Sequence, residues 1–235
     1  TGVVTLTGTQ TLTNKTLTSP KINEDVAVTS TATELNLLDG KAATNLALVG
    51  KQPGTNFANS ILVGHATTGT LNSSDANTGV GISALDAITS GNGNVAVGYQ
   101  SGSAINSGGR NIAIGREAVK TTTTGSHNIG IGYVTLRDNV SSSNNVAVGS
   151  YSMSNATGEK NIAVGGNSGQ SIEGGNNNIC VGFQSGDNIT TGDGNVIIGS
   201  INADSATGDK QLIVADGVDG SVAWIKGDSS GNLVT

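Results

Sequence analysis

The sequence is poor in the residues that usually build and lock a compact globular core. Aromatic residues make up 3% of the 235 residues, and there are only two prolines and one cysteine. Few aromatic side chains mean little apolar area per residue, so an isolated globular core would be thin. The single cysteine, Cys180, excludes an intramolecular disulfide. The chain must therefore use a regular backbone ladder, associate with other chains or stay disordered.

Charged residues are also scarce, at 12% of the chain, and their balance is acidic with a net charge of -6. An acidic balance disfavours nucleic acid and anionic membrane surfaces as partners. No apolar run approaches the roughly 18 residues of a membrane-spanning helix, so we expect no membrane insertion. Low charge combined with regularly placed apolar triplets argues against disorder. Because the chain starts at Thr1 rather than Met, we interpret it as a segment or a processed product.

What the sequence has instead is an internal repeat. An Asn, three small or branched apolar residues and a Gly recur every 17 residues, as in NVAVG from Asn94 and NIAIG from Asn111, with an occasional step of 16. A unit this short cannot hold a helix pair or a propeller blade. It fits one coil of a β-solenoid, in which each coil adds a rung of about 4.8 Å. We therefore predict an all-β fold, a parallel β-roll of 17-residue coils.

Three positions of the repeat have a structural interpretation. The Gly after the triplet fits a corner that needs positive φ or close backbone approach. The Asn either forms an amide ladder with its copies in neighbouring coils or serves as a turn former. Eleven residues after the Asn there is often a second apolar residue. It is found in five coils, as Leu71, Ile88, Ile105, Ile172 and Ile189.

The apolar triplet predicts contact with another chain. Its first and third places hold Val or Ile, and its middle place is small in most coils, so both faces of the strand avoid water. We expect one face to fill the coil and the small-residue face to pack on another copy around a shared axis. This predicts an obligate homotrimer. The predicted axis column is Ala96, Ala113, Gly130, Ala147, Ala163, Cys180 and Ile197.

The repeats carry a resemblance to a known family. The segments NVAVGYQSGSA, NIAIGREAVK and NICVGFQSGDN resemble the head repeats of YadA-type trimeric autotransporter adhesins, and similar repeats occur in bacteriophage tail fibres. The resemblance covers about residues 59–216. It implies a left-handed parallel β-roll in which three chains share a hydrophobic axis. The units here are a few residues longer than the adhesin repeat.

The remaining segments define three predicted parts. Residues 1–58 would form a connector that promotes trimerisation, with an extended Thr-rich segment and a short helix starting at Thr31, whose capping box ends at Glu34. Residues 59–209 would form the β-roll, and residues 210–235 a β-hairpin that caps its last rung. Within the connector, TLTNKTLTSPKI and TATELNLLDG resemble segments of marine and cyanobacterial phage tail fibres.

No pattern typical of catalysis or metal binding is present. His65 and His127 are the only histidines and fall in predicted loops, and one cysteine is too few for a zinc-type cluster. The glycines recur with the coil and match no phosphate-binding or nucleophile motif. The acidic residues share no phase along the coils, which disfavours a paired-carboxylate glycosidase. We predict no enzyme activity, no cofactor and no metal.

One binding signal remains. The place just after the corner Gly holds Tyr99, Arg116, Tyr133 and Phe183, which could form an exposed stripe able to stack on sugars. The alternative is that these side chains pack over the corner or against a neighbouring chain.

Together these features favour a structural viral tail fibre protein, a rigid homotrimer in the virion that takes part in attachment to the host cell. Expected partners are other tail or baseplate proteins and a host surface glycan or outer-membrane receptor. The alternatives are a bacterial trimeric surface adhesin or filament, a polysaccharide-degrading spike and an ice-binding solenoid. The last would need a column of Thr at constant phase, which the TTTT run at Thr121 does not supply.

Overall fold

The computed structural model describes residues 50–51, 55–64 and 68–234. The chain divides into two compact units, Thr1–Ala47 and Leu48–Thr235. The first unit holds most of the predicted connector, including its short helix, and lies outside the described residues, as does His65.

The second unit is a β-solenoid, which confirms the predicted fold class. Ten strands stack in parallel, one from each coil, and the described residues contain no helix. These strands are β3 (Ile61–Val63), β5 (Thr78–Val80), β6 (Val95–Val97), β7 (Ile112–Ile114), β8 (Ile129–Ile131), β9 (Val146–Val148), β10 (Ile162–Val164), β11 (Ile179–Val181), β12 (Val196–Ile198) and β13 (Leu212–Ala215). Nine steps of about 4.8 Å give a stack of about 43 Å. The left-handed sense stays a prediction.

Short strands complete the unit at its two ends. β1 (Gly50–Lys51) pairs antiparallel with β3, and β2 (Phe57–Ala58) pairs in parallel with β4 (Ser74–Asp75) as a small second sheet. At the other end, β14 (Ala223–Gly227) and β15 (Leu233–Val234) follow β13 in antiparallel order. The predicted C-terminal β cap is therefore confirmed.

Parallel pairing keeps equivalent residues of successive coils in register. Ala96 of β6 pairs with Ala113 of β7, which pairs with Gly130 of β8. The backbone N–H of Ile112 donates to the carbonyl of Asn128 in the next coil at 2.8 Å. Every coil repeats this pairing. Residues at the same position of successive repeats therefore form a continuous column along the stack.

The Asn of each repeat forms a buried amide ladder, one of the two interpretations left open by the sequence. The backbone N–H of Asn94 donates to Oδ1 of Asn77 at 2.9 Å, and its Nδ2 donates to the Gly108 carbonyl at 2.9 Å. The backbone bond recurs at each later coil and ends with Gln211 donating to Asn195. Each Oδ1 thus links its coil to the following one, and in most coils Nδ2 ties the strand to the turn that closes the same coil.

The corner Gly has the positive φ that the sequence predicts. Gly98 lies at φ 129° and Gly115 at φ 126°, a region that only Gly occupies without strain. A Cβ on Gly98 would stand 2.7 Å from the carbonyl oxygen of Gly115 in the next coil. Both the backbone angle and the close stacking therefore exclude any other residue.

In the six successive coils that start at Asn94 to Asn178, the interior is filled by two positions with complementary volumes, the eighth and the eleventh after the Asn. Three coils combine Gly with Ile: Gly102 with Ile105, Gly169 with Ile172 and Gly186 with Ile189. Three middle coils reverse the sizes: Val119 with Thr122, Leu136 with Asn139 and Met153 with Ala156. A Cβ on Gly102 would lie 2.9 Å from Cδ1 of Ile105, so both positions cannot be large in such a coil.

The small-residue column lies inside the coil, and the prediction placed it on the wrong face. Each of its members is buried within a single chain, which leaves no surface for a second chain to contact. The reason is that the strand shares the coil interior with the two filling positions, so its middle residue is small where one of these positions is large. Ile197 fits because its coil has Ala203 and Ala206 at the filling positions. This column comprises Ala96, Ala113, Gly130, Ala147, Ala163, Cys180 and Ile197.

The cap hairpin is organised around Asp216. Its Oδ1 accepts the backbone N–H groups of Val218, Asp219 and Gly220, and its Oδ2 accepts that of Val222 at 2.8 Å. These bonds, that from Val222 foremost, lower the pKa of Asp216 to about 2. The turn between β13 and β14 is therefore held by an ionised carboxylate.

Asn111→Ala is expected to destabilise the solenoid by about 3 kcal/mol. It leaves two buried groups unpaired, the Asn128 N–H and the Gly125 carbonyl, and each such group costs about 1–3 kcal/mol. Chemical denaturation followed by circular dichroism measures the change. Asn106→Ala is the matched control, because the exposed Asn106 side chain receives only a surface bond from Thr89. Equal effects of the two variants would contradict a structural role for the ladder.

Acid is expected to loosen the cap hairpin. The folded pKa of Asp216 lies below its ordinary value of 3.8, so its stabilising contribution is complete above about pH 4 and is lost as pH falls through about 2. Hydrogen exchange of the Val218–Val222 amides should accelerate over that range, beyond the intrinsic pH effect. In Asp216→Asn the exchange should already be fast at pH 6. Unchanged protection in this variant would exclude the carboxylate as the organiser of the turn.

Candidate functional site

The outer face of the parallel sheet is an apolar surface, here called the Val/Ile face. It consists of the first and third residues of the strand triplets, whose side chains point away from the coil interior. They carry no charge, and Thr78 is the one polar residue among them in the described coils. The most exposed members are 37–40% accessible: Val80, Val97, Ile114, Ile131, Ile162, Val164, Ile179, Val181 and Ile198.

The Val/Ile face continues into the cap. Ile225 of β14 pairs with Val214 of β13, and Leu233 of β15 pairs with Gly227, which itself pairs with Leu212. Directly paired residues share a face of a sheet. Ile225 and Leu233 are exposed. The apolar surface therefore runs from the first coils to the C-terminal strands.

A second exposed surface is formed by aromatic rings and a guanidinium, here called the tyrosine–arginine cluster: Tyr99, Arg116, Tyr133 and Tyr151. Cζ of Arg116 lies 5.8 Å from the ring centroid of Tyr99 and 5.6 Å from that of Tyr133. The rings of Tyr133 and Tyr151 meet edge to face with centroids 5.2 Å apart. All three tyrosine rings are exposed. The cluster spans four successive coils.

The predicted stripe is brought together in part. Tyr99, Arg116 and Tyr133 form one continuous contact, whereas Phe183 lies three coils beyond the coil of Tyr133. Tyr151 is absent from the prediction. Phe183 is exposed, and its Cδ2 would lie 3.4 Å from a Cβ placed on Gly166 in the preceding coil. The sequence pattern did not identify Tyr151 because this residue follows its corner Gly by two positions, whereas the predicted stripe used only the position directly after the Gly.

Charges around the cluster are paired unevenly. Nε of Arg116 and Nζ of Lys120 each lie 3.3 Å from a carboxylate oxygen of Glu117. Arg137 donates two bonds to Asp138, at 2.9 and 2.8 Å, which lowers the pKa of that carboxyl and raises the pKa of the guanidinium. Three cations therefore face two carboxylates, and the neighbourhood is positive in an acidic chain.

The Tyr133 side chain also affects its neighbour in the cluster. Its proximity is the main reason why the pKa of Tyr151 is raised. The two rings pack edge to face, an arrangement that aromatic pairs prefer.

A shallow polar cleft of about 230 Å³ lies between the closing turns of three coils. Nη1 of Arg110 is 3.2 Å from Nε2 of His127, and Ser90, Ser107 and Ser126 contribute hydroxyls to its wall. His127 is exposed, as a loop histidine is expected to be. Within the described residues, no three His, Cys, Asp or Glu side chains are grouped to hold a metal ion.

Comparisons with protein-family models, curated proteins and solved structures find no match to this chain. Among the described residues there is no helix long and apolar enough to cross a membrane.

Cys180 is expected to be unreactive in the folded protein. It is fully buried in the small-residue column, and burial raises the pKa of its thiol to about 12, so almost no thiolate exists at pH 8. Alkylation with iodoacetamide should be negligible in buffer and complete in denaturant, as mass spectrometry would report. Fast labelling of the native protein would show that the coil opens or that this column is accessible.

Proposed function

We propose that this chain is a segment of a viral tail fibre, in which three parallel copies pack their Val/Ile faces around a shared axis and take part in attachment to the host cell. The observation that carries the proposal is the Val/Ile face. It is long, uncharged and continuous through ten strands.

An apolar face of this extent is expected to be buried against another protein surface. Parallel sheets occur almost only where both faces are buried, and here the outer face lies open in the single chain. Exposed apolar patches that extend over many residues mark interaction surfaces in soluble proteins. The Val and Ile side chains at this face would gain about 25 cal/mol for each Å² of apolar surface removed from water.

Another copy of the chain is the partner that matches this face best. Two identical solenoids have the same rung spacing, so their columns of branched side chains can interdigitate along the whole stack. Closed cyclic symmetry also ends the association without leaving an open apolar surface. The proposed number of chains, three, rests on the resemblance to trimeric head repeats. The proposed location in the virion rests on the resemblance to phage fibre segments. The axis would be lined by Val and Ile instead of the small-residue column.

The proposed role is mechanical and multivalent. A stack of coils with a hydrogen-bonded rung every 4.8 Å or so is stiff along its length. Three identical outer surfaces would then face the host together, and weak contacts would gain avidity through their linkage. Partners of this kind are tail or baseplate proteins on one side and a host surface glycan or outer-membrane receptor on the other.

Light scattering on a sizing column tests the association. We expect three times the chain mass of 23.2 kDa for the native protein and a lower mass for Ile131→Glu, because the variant places a charge in the centre of the Val/Ile face. Val140→Glu is the matched control, since Val140 is an exposed apolar residue outside the parallel strands.

Circular dichroism separates dissociation from unfolding in these variants. A folded native monomer, or equal behaviour of the two variants, would contradict the proposed packing.

A further inference from the structure

We propose that the tyrosine–arginine cluster binds a short acidic oligosaccharide, one whose hexopyranose rings carry carboxylates. The inference rests on the proposed attachment role and names the chemistry of the ligand. The cluster is the one described surface where aromatic rings, a cation and exposure coincide over successive coils.

Composition singles out this surface. The chain has three tyrosines, and all three belong to the cluster. The three arginines, Arg110, Arg116 and Arg137, all fall within 28 consecutive residues, on three successive coils. Packing of the coil does not require a large residue just after the corner Gly, because three other coils hold Ser150, Gly166 and Ser200 there. A ligand gives a reason for their concentration.

The geometry fits a sugar chain that runs along the stack. Successive coils are about 4.8 Å apart, close to the length that one hexopyranose adds to an extended chain. Tyr99, Tyr133 and Tyr151 are exposed on three levels, and the apolar C–H faces of sugar rings can pack against aromatic rings. Arg116 lies on the level between the first two rings.

Arg116 is the group that selects an acidic sugar. The rings of Tyr99 and Tyr133 flank its guanidinium, and Glu117 accepts from Nε, so the side chain is held in one place while remaining 59% exposed. Little conformational entropy is then lost when the planar guanidinium forms two bonds to a carboxylate. Preorganised donors of this kind favour affinity because the ordering cost is already met by the fold.

The surrounding charges support the same ligand. Arg137 is committed to a bidentate pair with Asp138, and Lys120 offsets the charge of Glu117. Arg116 therefore remains as the cation without a full partner. An anionic ligand meets a locally positive surface, although the whole chain is acidic.

Isothermal titration calorimetry with defined trisaccharides tests the proposal. The probes are trigalacturonate and trimannuronate, each compared with its carboxyl-reduced counterpart, galactose or mannose trimer. At least one uronate trimer should bind, and its reduced form should bind about tenfold more weakly, as expected for the loss of a charge-assisted pair. Equal binding of acidic and reduced forms, or binding of neither uronate, overturns the inference.

Variants locate the site. Arg116→Gln and Tyr133→Ala should each weaken binding by about tenfold. Arg110→Gln is the matched control for the cation, and Trp224→Ala is the control for an exposed aromatic residue in the cap. Both controls should bind as the native protein does. Loss of affinity in the controls as well would place the ligand elsewhere and contradict the assignment.

The mass of each variant separates this inference from the proposed function. Arg116→Gln and Tyr133→Ala should keep the native oligomer. Their dissociation into monomers would show that the cluster is a contact between chains, which overturns the glycan site and supports association. If the native chain is a monomer that still binds a uronate trimer, the trimeric packing fails and the glycan site stands.

Discussion

The hydrogen-bonded ladder of buried Asn side chains is the interaction on which the rest of the structure depends. Each coil is a loop with only three residues in its strand, too little to be stable alone. The Asn amide connects each coil to the following one and, in most coils, to its own closing turn, so successive coils stack in register. Where the ladder ends, Gln211 and Ser60 supply equivalent oxygen or amide groups.

The close stacking of the coils restricts the core. In six successive coils the interior has room for one large side chain beside the strand, which is why Gly102 accompanies Ile105 while Met153 accompanies Ala156. The preceding coil buries both Leu85 and Ile88, and the middle residue of its strand is Gly79. The position of Gly102 and Met153 also has positive φ, at 55° and 47°. A side chain there is held in a strained backbone conformation that the packing of its neighbours must stabilise. The limited space inside the coil also explains why the middle residue of most strands is small.

A narrow interior leaves the larger apolar residues of the triplet on the outside. The structure therefore reverses the prediction: the small residues fill the coil, and the Val and Ile residues face outward. An apolar outer face still favours association with another chain. The surface lined by Val97, Ile114 and Ile131 is open in a single chain and needs a cover. The tyrosine–arginine cluster lies beyond the corner Gly, at the side of that sheet. The same coil thus provides one surface for association and another for recognition.

The sequence by itself determined the repeat, the all-β class, the corner Gly and the Asn column, because each depends on a residue type that recurs at a fixed interval. Only the tertiary structure decided which face of the strand is buried, since alternation identifies two faces without saying which is interior. The tertiary structure also brought Tyr151 into contact with Tyr133, although their places in the repeat differ by one. Contacts of this kind depend on the orientation of side chains in neighbouring coils, and the spacing of residues along the chain does not determine that orientation.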